Sequence, residues 1–264
     1  KMTAQDIDMI VFATLSPDYY FPGCGVQVQE MLEMRTVPAL DVRNQCSGFV
    51  YALSTADQFI KTGMYKNVLL IGSENHSGGL DMTTRGRSVS VIFGDGAGAV
   101  ILQPSESDGG ILSTHLHSEG KYLKELWCEL PSFRMAGRGF SDEMISAGRH
   151  RLKMNGREVF KHAVTRFPEV IQEAMDANNL TIDDIAQIIP HQANHRITEA
   201  VAKRMGVDSE LVYSNIHRYG NTTAATIPIA MCEAFAEGKF STGDHIILAA
   251  FGSGFTWASA AIKW

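Results

Sequence analysis

Pro38-Ala39-Leu40-Asp41-Val42-Arg43-Asn44-Gln45-Cys46-Ser47-Gly48-Phe49 is the stretch on which the fold turns. Ala39 to Val42 reads as a short buried strand. From Phe49 the apolar residues Phe49, Leu53, Ala56 and Ile60 recur at helical spacing until Gly63 stops the run. Cys46 therefore falls on a strand-to-helix turn. At the amino end of a helix, unpaired backbone N–H groups and the helix dipole favour a thiolate over a thiol, so a lowered thiol pKa is expected there. The alternative is a buried cysteine that only packs.

Working outward, a strand at Asp6 to Ala13 precedes a helix from about Val26 to Met34. Behind the Cys46 helix come a strand at Asn67 to Gly72 and a strand pair, Val89 to Phe93 and Ala97 to Leu102, around Gly94-Asp95-Gly96-Ala97-Gly98. A Gly-rich loop that cradles phosphate needs a helix after it. Here Ala99 to Leu102 is strand-like, which excludes a nucleotide-binding fingerprint. The second half repeats the first: Asp184 to Ile189 echoes Asp6 to Val11, and Asn221 stands 37 residues after Asp184 much as Cys46 stands 40 after Asp6. Asn221 opens a helix through Ala236, and the strands Gly243 to Ala250 and Trp257 to Trp264 close the chain. Such duplication implies two similar βαβ-rich halves whose strand-end residues meet between them.

The second half has a strand, Ile111 to His117, and a long helix, Val159 to Ala177, ahead of Asp184, and the first half has neither ahead of Asp6. The expectation is an incomplete amino-terminal half over 1–110 and a complete carboxyl-terminal half over 111–264. Between them, 118–152 carries apolar residues without a period (Leu126, Trp127, Leu130, Phe133, Met135, Phe140, Met144), as a packed cap would.

With 264 residues, 45% hydrophobic and 24 glycines, the chain buries a large core. A net charge of -6 gives no global pull toward nucleic acid, so an acidic partner needs a local basic patch. No apolar run reaches the length of a membrane span. Cys24, Cys46, Cys128 and Cys232 lack metal-ligand spacing, which points to reduced thiols in a cytoplasm and to no metal. His191 follows the apolar strand Ile188-Ile189-Pro190 and precedes a helix with Ile197, Val201 and Met205 on one face. A soft nucleophile, an imidazole and an amide donor at strand ends could then converge on one carbonyl.

These residues resemble the β-ketoacyl-acyl carrier protein synthases of type III, in the thiolase superfamily. The resemblance rests on Gln45-Cys46-Ser47-Gly48-Phe49, Phe93 to Gly98, Met154-Asn155-Gly156-Arg157 to Lys161, Pro190-His191-Gln192-Ala193-Asn194, Gly220-Asn221-Thr222 and Phe251-Gly252-Ser253-Gly254-Phe255-Thr256-Trp257. It implies an α/β thiolase-like fold of two pseudo-equivalent βαβαββ halves with mixed sheets, working as a homodimer. It also implies an acyltransferase that runs a decarboxylating Claisen condensation of an acyl-CoA primer with malonyl-acyl carrier protein, initiating fatty acid synthesis. Cys46 would carry the acyl group, and His191 and Asn221 would stabilise the enolate. The backbone N–H groups of Cys46 and Ser253 would form the oxyanion hole; the family usually has glycine at the latter position, and a backbone donor tolerates serine. Arg85, with Arg87 as competitor, and Met154, Phe160 and Asn194 would line the coenzyme A tunnel. Phe21 would reach the partner subunit's acyl pocket. Lys161, Arg196, Lys203 and Arg204 would dock carrier protein, the last three sharing a helical face at spacings of seven and eight. No metal or redox cofactor is implied. Two other readings share these residues: a related enzyme of secondary metabolism with another primer or extender, and a silent subunit that only binds acyl chains or carrier protein.

Overall fold

The computed structural model describes residues 2–132, 134 and 140–264; Phe133 and Met135 of the cap lie outside the described residues. In the first half, β1 (Met9–Ala13) leads through α1 (Cys24–Met31) to β2 (Ala39–Val42), then α2 (Gly48–Lys61), β3 (Val68–Glu74) and β4 (Gly96–Leu102). These strands form one sheet in the order β2-β1-β3-β4, parallel except for β4. All five residues of β1 are buried, as a parallel strand covered on both faces requires.

The second half runs β5 (Gly110–Ser118), β6 (Leu126–Trp127), α3 (Asp142–Ser146), β7 (Lys153–Met154), α4 (Gly156–Ala177), β8 (Ile185–Pro190), α5 (His195–Met205), α6 (Ile216–Tyr219), α7 (Thr226–Ala236), β9 (His245–Gly252) and β10 (Thr256–Lys263). Its main sheet has the order β5-β10-β9-β8. A shift of 178 positions carries one half onto the other. The register Met9↔Val68 becomes Gln187↔Ile246, and the capped turn Thr3–Asp6 becomes Thr181–Asp184.

The halves stack in layers. Helices α2 and α7 lie between the two sheets, where Phe49, Leu53, Ile227 and Met231 pack with Val11, Leu70, Ile246 and Leu248. On β9 the alternate residues Ile247, Ala249 and Phe251 face the opposite way, against Phe167, Ile171 and Val201 of α4 and α5. That period of two lets one wholly buried strand serve two cores. A third cluster, with Ile10, Phe12 and Ile71, seats α1 on the outer face of the first sheet.

Three expectations change. Ala39 to Val42 is a strand but not a buried one, as Leu40 and Asp41 are exposed at the edge of the sheet. Val89 to Phe93 is not a strand: 89–92 are turns, and Phe93 makes a single bridge to Asn221. Strand β4 pairs instead with β3, whose hydrogen-bonding edge it fills from Val68↔Leu102 to Glu74↔Gly96. The repeat register also sets Gln45 opposite Thr223, and therefore Cys46 opposite Ala224 rather than opposite Asn221. Asn221 follows the short helix α6, not a strand.

Candidate active site

Cys46 sits in a single 3-10 turn, Gln45–Ser47, between β2 and α2. Gln45 holds φ at 47°, a left-handed conformation rare outside glycine, and so turns the chain sharply before the helix. The thiol is buried, at 6% exposure. Room for it depends on Gly252, because a Cβ there would lie 2.4 Å from the Cys46 Cβ and 2.8 Å from its Sγ. The Ser47 and Thr256 hydroxyls are 2.6 Å apart, and Thr256 also donates to the Ser253 carbonyl. The turn that carries the thiol is thereby tied to the loop that carries Ser253.

Burial, followed by the Glu74 carboxylate, pushes the Cys46 thiol up to about 12, and the backbone N–H groups of Ser253 and of Cys46 itself offset this only in part. The expected lowering is therefore reversed. A rise from 9.0 to about 12 corresponds to roughly 4 kcal/mol, whereas a helix end contributes about 2 kcal/mol at most. At rest Cys46 is a thiol.

His191 directly follows β8, its N–H donating to the Ala249 carbonyl. Its Nδ1 lies 2.7 Å from the Thr226 hydroxyl, which donates its own proton to the Thr223 carbonyl. That hydroxyl must therefore accept from Nδ1–H, which leaves Nε2 with a free lone pair. Nε2 is buried and has no partner. Burial lowers the ring's pKa to about 3, with the Thr223 backbone opposing and His76 adding to the effect.

The Asn221 backbone is locked on both sides: its N–H donates to Ile92, and its carbonyl accepts from Gly94. Gly94 must be glycine, since a Cβ would meet the Tyr219 carbonyl at 2.1 Å. The Gly-rich loop thus serves close backbone approach. The Asn221 Oδ1 accepts from the Thr223 N–H at 2.9 Å, so Nδ2 is the end of the amide available as a donor.

Three neighbours of this group were not singled out from sequence. Glu74, buried at 3% exposure, accepts from Thr14, Leu15, Ser16 and the Ala224 N–H. Its burial raises the carboxyl pKa against the pull of those donors. His76, also buried, places Nε2 2.7 Å from the Thr223 hydroxyl, and burial lowers its pKa to about 4. The only signal for Glu74 and His76 was their place at the carboxyl end of β3. Thr223 carries no sequence signal because its hydroxyl meets a residue 147 positions away, and its N–H and carbonyl act as backbone groups that any residue has.

The family model of 3-oxoacyl-[acyl-carrier-protein] synthase III matches residues 40–120, and that of its C-terminal region matches 175–264. The chain is 43% identical to the β-ketoacyl-[acyl-carrier-protein] synthase III of Rhodospirillum centenum, covering all of this chain and 79% of that protein. The same enzyme of Clostridioides difficile is 42% identical with the same coverage. The crystal structure of the Aquifex aeolicus synthase III superposes with a TM-score of 0.88 at 40% identity, over 100% of this chain and 79% of that one. The chain belongs to the β-ketoacyl-[acyl-carrier-protein] synthase III family. It has the thiolase-like fold and is a condensing acyltransferase.

Other residues expected from the synthase III resemblance fall in separate places. Arg85 and Met154 line one cavity of about 250 Å³ between residues 79–90 and 147–154. Arg85 is held there by Asp81 at 2.5 Å and by the Ser146 carbonyl. Phe160 is exposed on α4, and Asn194 caps α5 by accepting from the Arg196 N–H; neither lines that cavity. Phe21 is 77% exposed on the loop before α1. Arg196 and Lys203 are exposed on α5, and Arg204 reaches Thr165 on α4, one turn beyond Lys161. Among the described residues no group of His, Cys, Asp or Glu could hold a metal ion, and no helix is long and apolar enough to cross a membrane.

Proposed function

We propose that Cys46, His191 and Asn221 carry out the initiating condensation of fatty acid synthesis, joining an acyl-CoA primer to malonyl-acyl carrier protein. In the first half-reaction the Sγ proton passes to the free Nε2 of His191 as the sulfur attacks the acyl carbonyl. The N–H groups of Ser253 and Cys46, which partly offset the rise in the thiol's pKa, receive the developing oxyanion. Collapse forms the acyl-Cys46 thioester and expels the coenzyme A thiolate, which takes a proton from solvent. His191 now carries protons on both nitrogens, a cation that its burial disfavours and that the malonyl carboxylate arriving next would stabilise by its charge.

In the second half-reaction that Nε2–H and the Asn221 Nδ2–H donate to the malonyl thioester oxygen. The bond to the carboxylate breaks, carbon dioxide leaves, and the enolate carbon attacks the acyl-Cys46 carbonyl. Collapse releases the 3-oxoacyl thioester and the Cys46 thiolate, which recovers its proton from His191. The sum consumes one proton and yields carbon dioxide and coenzyme A.

The observation that carries this reading is that His191 has Nδ1 fixed at Thr226 and Nε2 buried without a partner, while Asn221 has Oδ1 fixed at the Thr223 N–H, which leaves Nδ2 as its donor end. Arg85 and Met154 would line the pantetheine channel, with Phe160 and Asn194 at its approach. The carrier protein would dock on Lys161, Arg196, Lys203 and Arg204. A homodimer would bury Phe21 against its partner, and four free cysteines fit a reducing cytoplasm. Intact mass after incubation with acyl-CoA should show one added acyl group on the parent and none on Cys46→Ala. Malonyl-carrier protein should then discharge it as 3-oxoacyl product. No acyl addition, or addition that survives Cys46→Ala, would overturn the assignment. A panel of acetyl-, branched and longer acyl-CoA primers identifies the substrate.

A further inference from the structure

Thr223 is the residue on which both enolate donors converge. Its N–H fixes the Asn221 amide at 2.9 Å, and its carbonyl takes the Thr226 hydroxyl proton and so sets which His191 nitrogen is free. It does this at φ 46°, a conformation that costs a β-branched residue energy and persists only where the surroundings enforce it. Gln45, its counterpart in the other half, holds the same conformation at φ 47°, and at Thr223 the side chain is gripped in addition by His76. Its Nε2 is 2.7 Å from the Thr223 hydroxyl, its N–H is held by the Asp95 carboxylate at 2.6 Å, and its ring lies 5.1 Å from that of Phe93, which bridges to Asn221. Asp95 also accepts from the Ser77 N–H and hydroxyl, so the clamp is anchored in the loop that follows β3.

We infer that His76 is a positioning residue for the decarboxylation half-reaction, acting through the Thr223 hydroxyl to hold Asn221 and His191 in donor geometry. The inference rests on the proposed enolate roles of those two residues. The clamp touches neither Sγ nor its backbone donors and reaches acylation only through the His191 lone pair, whereas decarboxylation needs both Asn221 and His191, so its loss should weigh more heavily on the second half-reaction. A misplacement of about 1 Å at a reacting group costs on the order of a hundredfold in rate.

The test uses the full chain, measuring acyl mass on Cys46 and labelled carbon dioxide released from malonyl-carrier protein. His76→Leu and Thr223→Val should each lower carbon dioxide release on the order of ten- to a hundredfold through kcat with little change in KM, while acylation, which meets the clamp only through His191, falls several-fold less. Gln, whose amide nitrogen reaches the place of Nε2, should restore most of the rate in His76→Gln, and Thr223→Ser should match the parent. The double variant should be no slower than the slower single, because both changes break one contact. Equal losses in the two half-reactions, additive losses in the double variant, or no rescue by Gln would overturn the inference and leave His76 a packing residue. Asn221→Ala run beside them separates the failures. If it decarboxylates like the parent, the enolate assignment is wrong; if it is impaired while His76→Leu is not, only the clamp is wrong.

Discussion

Gly252→Ala should disable acylation without touching a reactive group. Gly252 does not hold a left-handed φ, so alanine suits its backbone, and only space forbids it. The added methyl would lie 2.4 Å from the Cys46 Cβ, 2.8 Å from Sγ and 3.3 Å from Cα. Ordinary carbon contacts are about 3.5–4.0 Å, so the turn must retreat by more than about 1 Å and carry the sulfur off its two backbone donors. A displacement of that size costs on the order of a hundredfold in rate, and the overpacking costs about 1–3 kcal/mol of stability. Gly72→Ala is the matched control in the other half. Its methyl would meet the Ala224 carbonyl oxygen at 2.4 Å and push on the Thr223–Ala225 turn that anchors Asn221 and His191. With melting temperature confirming the fold, acyl mass addition should fall about a hundredfold in Gly252→Ala and only a few-fold in Gly72→Ala. Carbon dioxide release should show the reverse order. Equal losses in both assays for both variants would refute the claim that the Cys46 turn weighs mainly on acylation and the Thr223–Ala225 turn mainly on decarboxylation.

Cys46 alkylation should be slow at neutral pH: a thiol at about 12 is roughly 10⁻⁵ thiolate at pH 7. Its iodoacetamide rate should climb about tenfold per pH unit, with exposed Cys232 labelled first; fast neutral labelling of Cys46 by mass mapping would contradict the buried thiol. His191, held neutral by a pKa lowered from 6.5 to about 3, contributes stability above pH 6.5 that is lost as pH falls toward 3, up to about 5 kcal/mol. Denaturant midpoints should therefore fall less steeply on acidification in His191→Gln than in the parent, and parallel slopes would count against the buried neutral ring. Charge reversal at Lys203 and Arg204 should raise the KM for malonyl-carrier protein and leave self-acylation unchanged, and an unchanged KM removes the basic patch.

The elements around the site were legible because their signals are local. Continuous apolar runs marked β1 and β9, helical spacing marked α2, and the 178-residue echo of Asp6 in Asp184 marked the duplication. What failed depended on distant partners. Val89 to Phe93 carries strand-like composition, but β3 spends its edge on β4, and Phe93 is drawn to Asn221 instead. The sign of the Cys46 shift turned on burial under Gly252 and on the Glu74 carboxylate, neither of which a helix terminus reveals. The loose spacing that paired Asn221 with Cys46 missed Ala224 as the true counterpart. Small residues meet there: a Cβ on Gly48 would lie 3.6 Å from that of Ala224. His76 and Thr223 became visible only as a contact between β3's end and a turn 147 residues away.

The central claim is that negative charge from decarboxylation is received by Asn221 and His191, whereas acylation needs only Cys46, the His191 lone pair and the backbone donors. Labelled carbon dioxide release measured beside intact acyl mass in Asn221→Ala tests it most directly. Removing one such donor costs on the order of a hundred- to a thousandfold, so the variant should acylate like the parent and release carbon dioxide at less than about a hundredth of its rate. Decarboxylation at the parent's rate would make Asn221 a scaffold residue and the mechanism wrong.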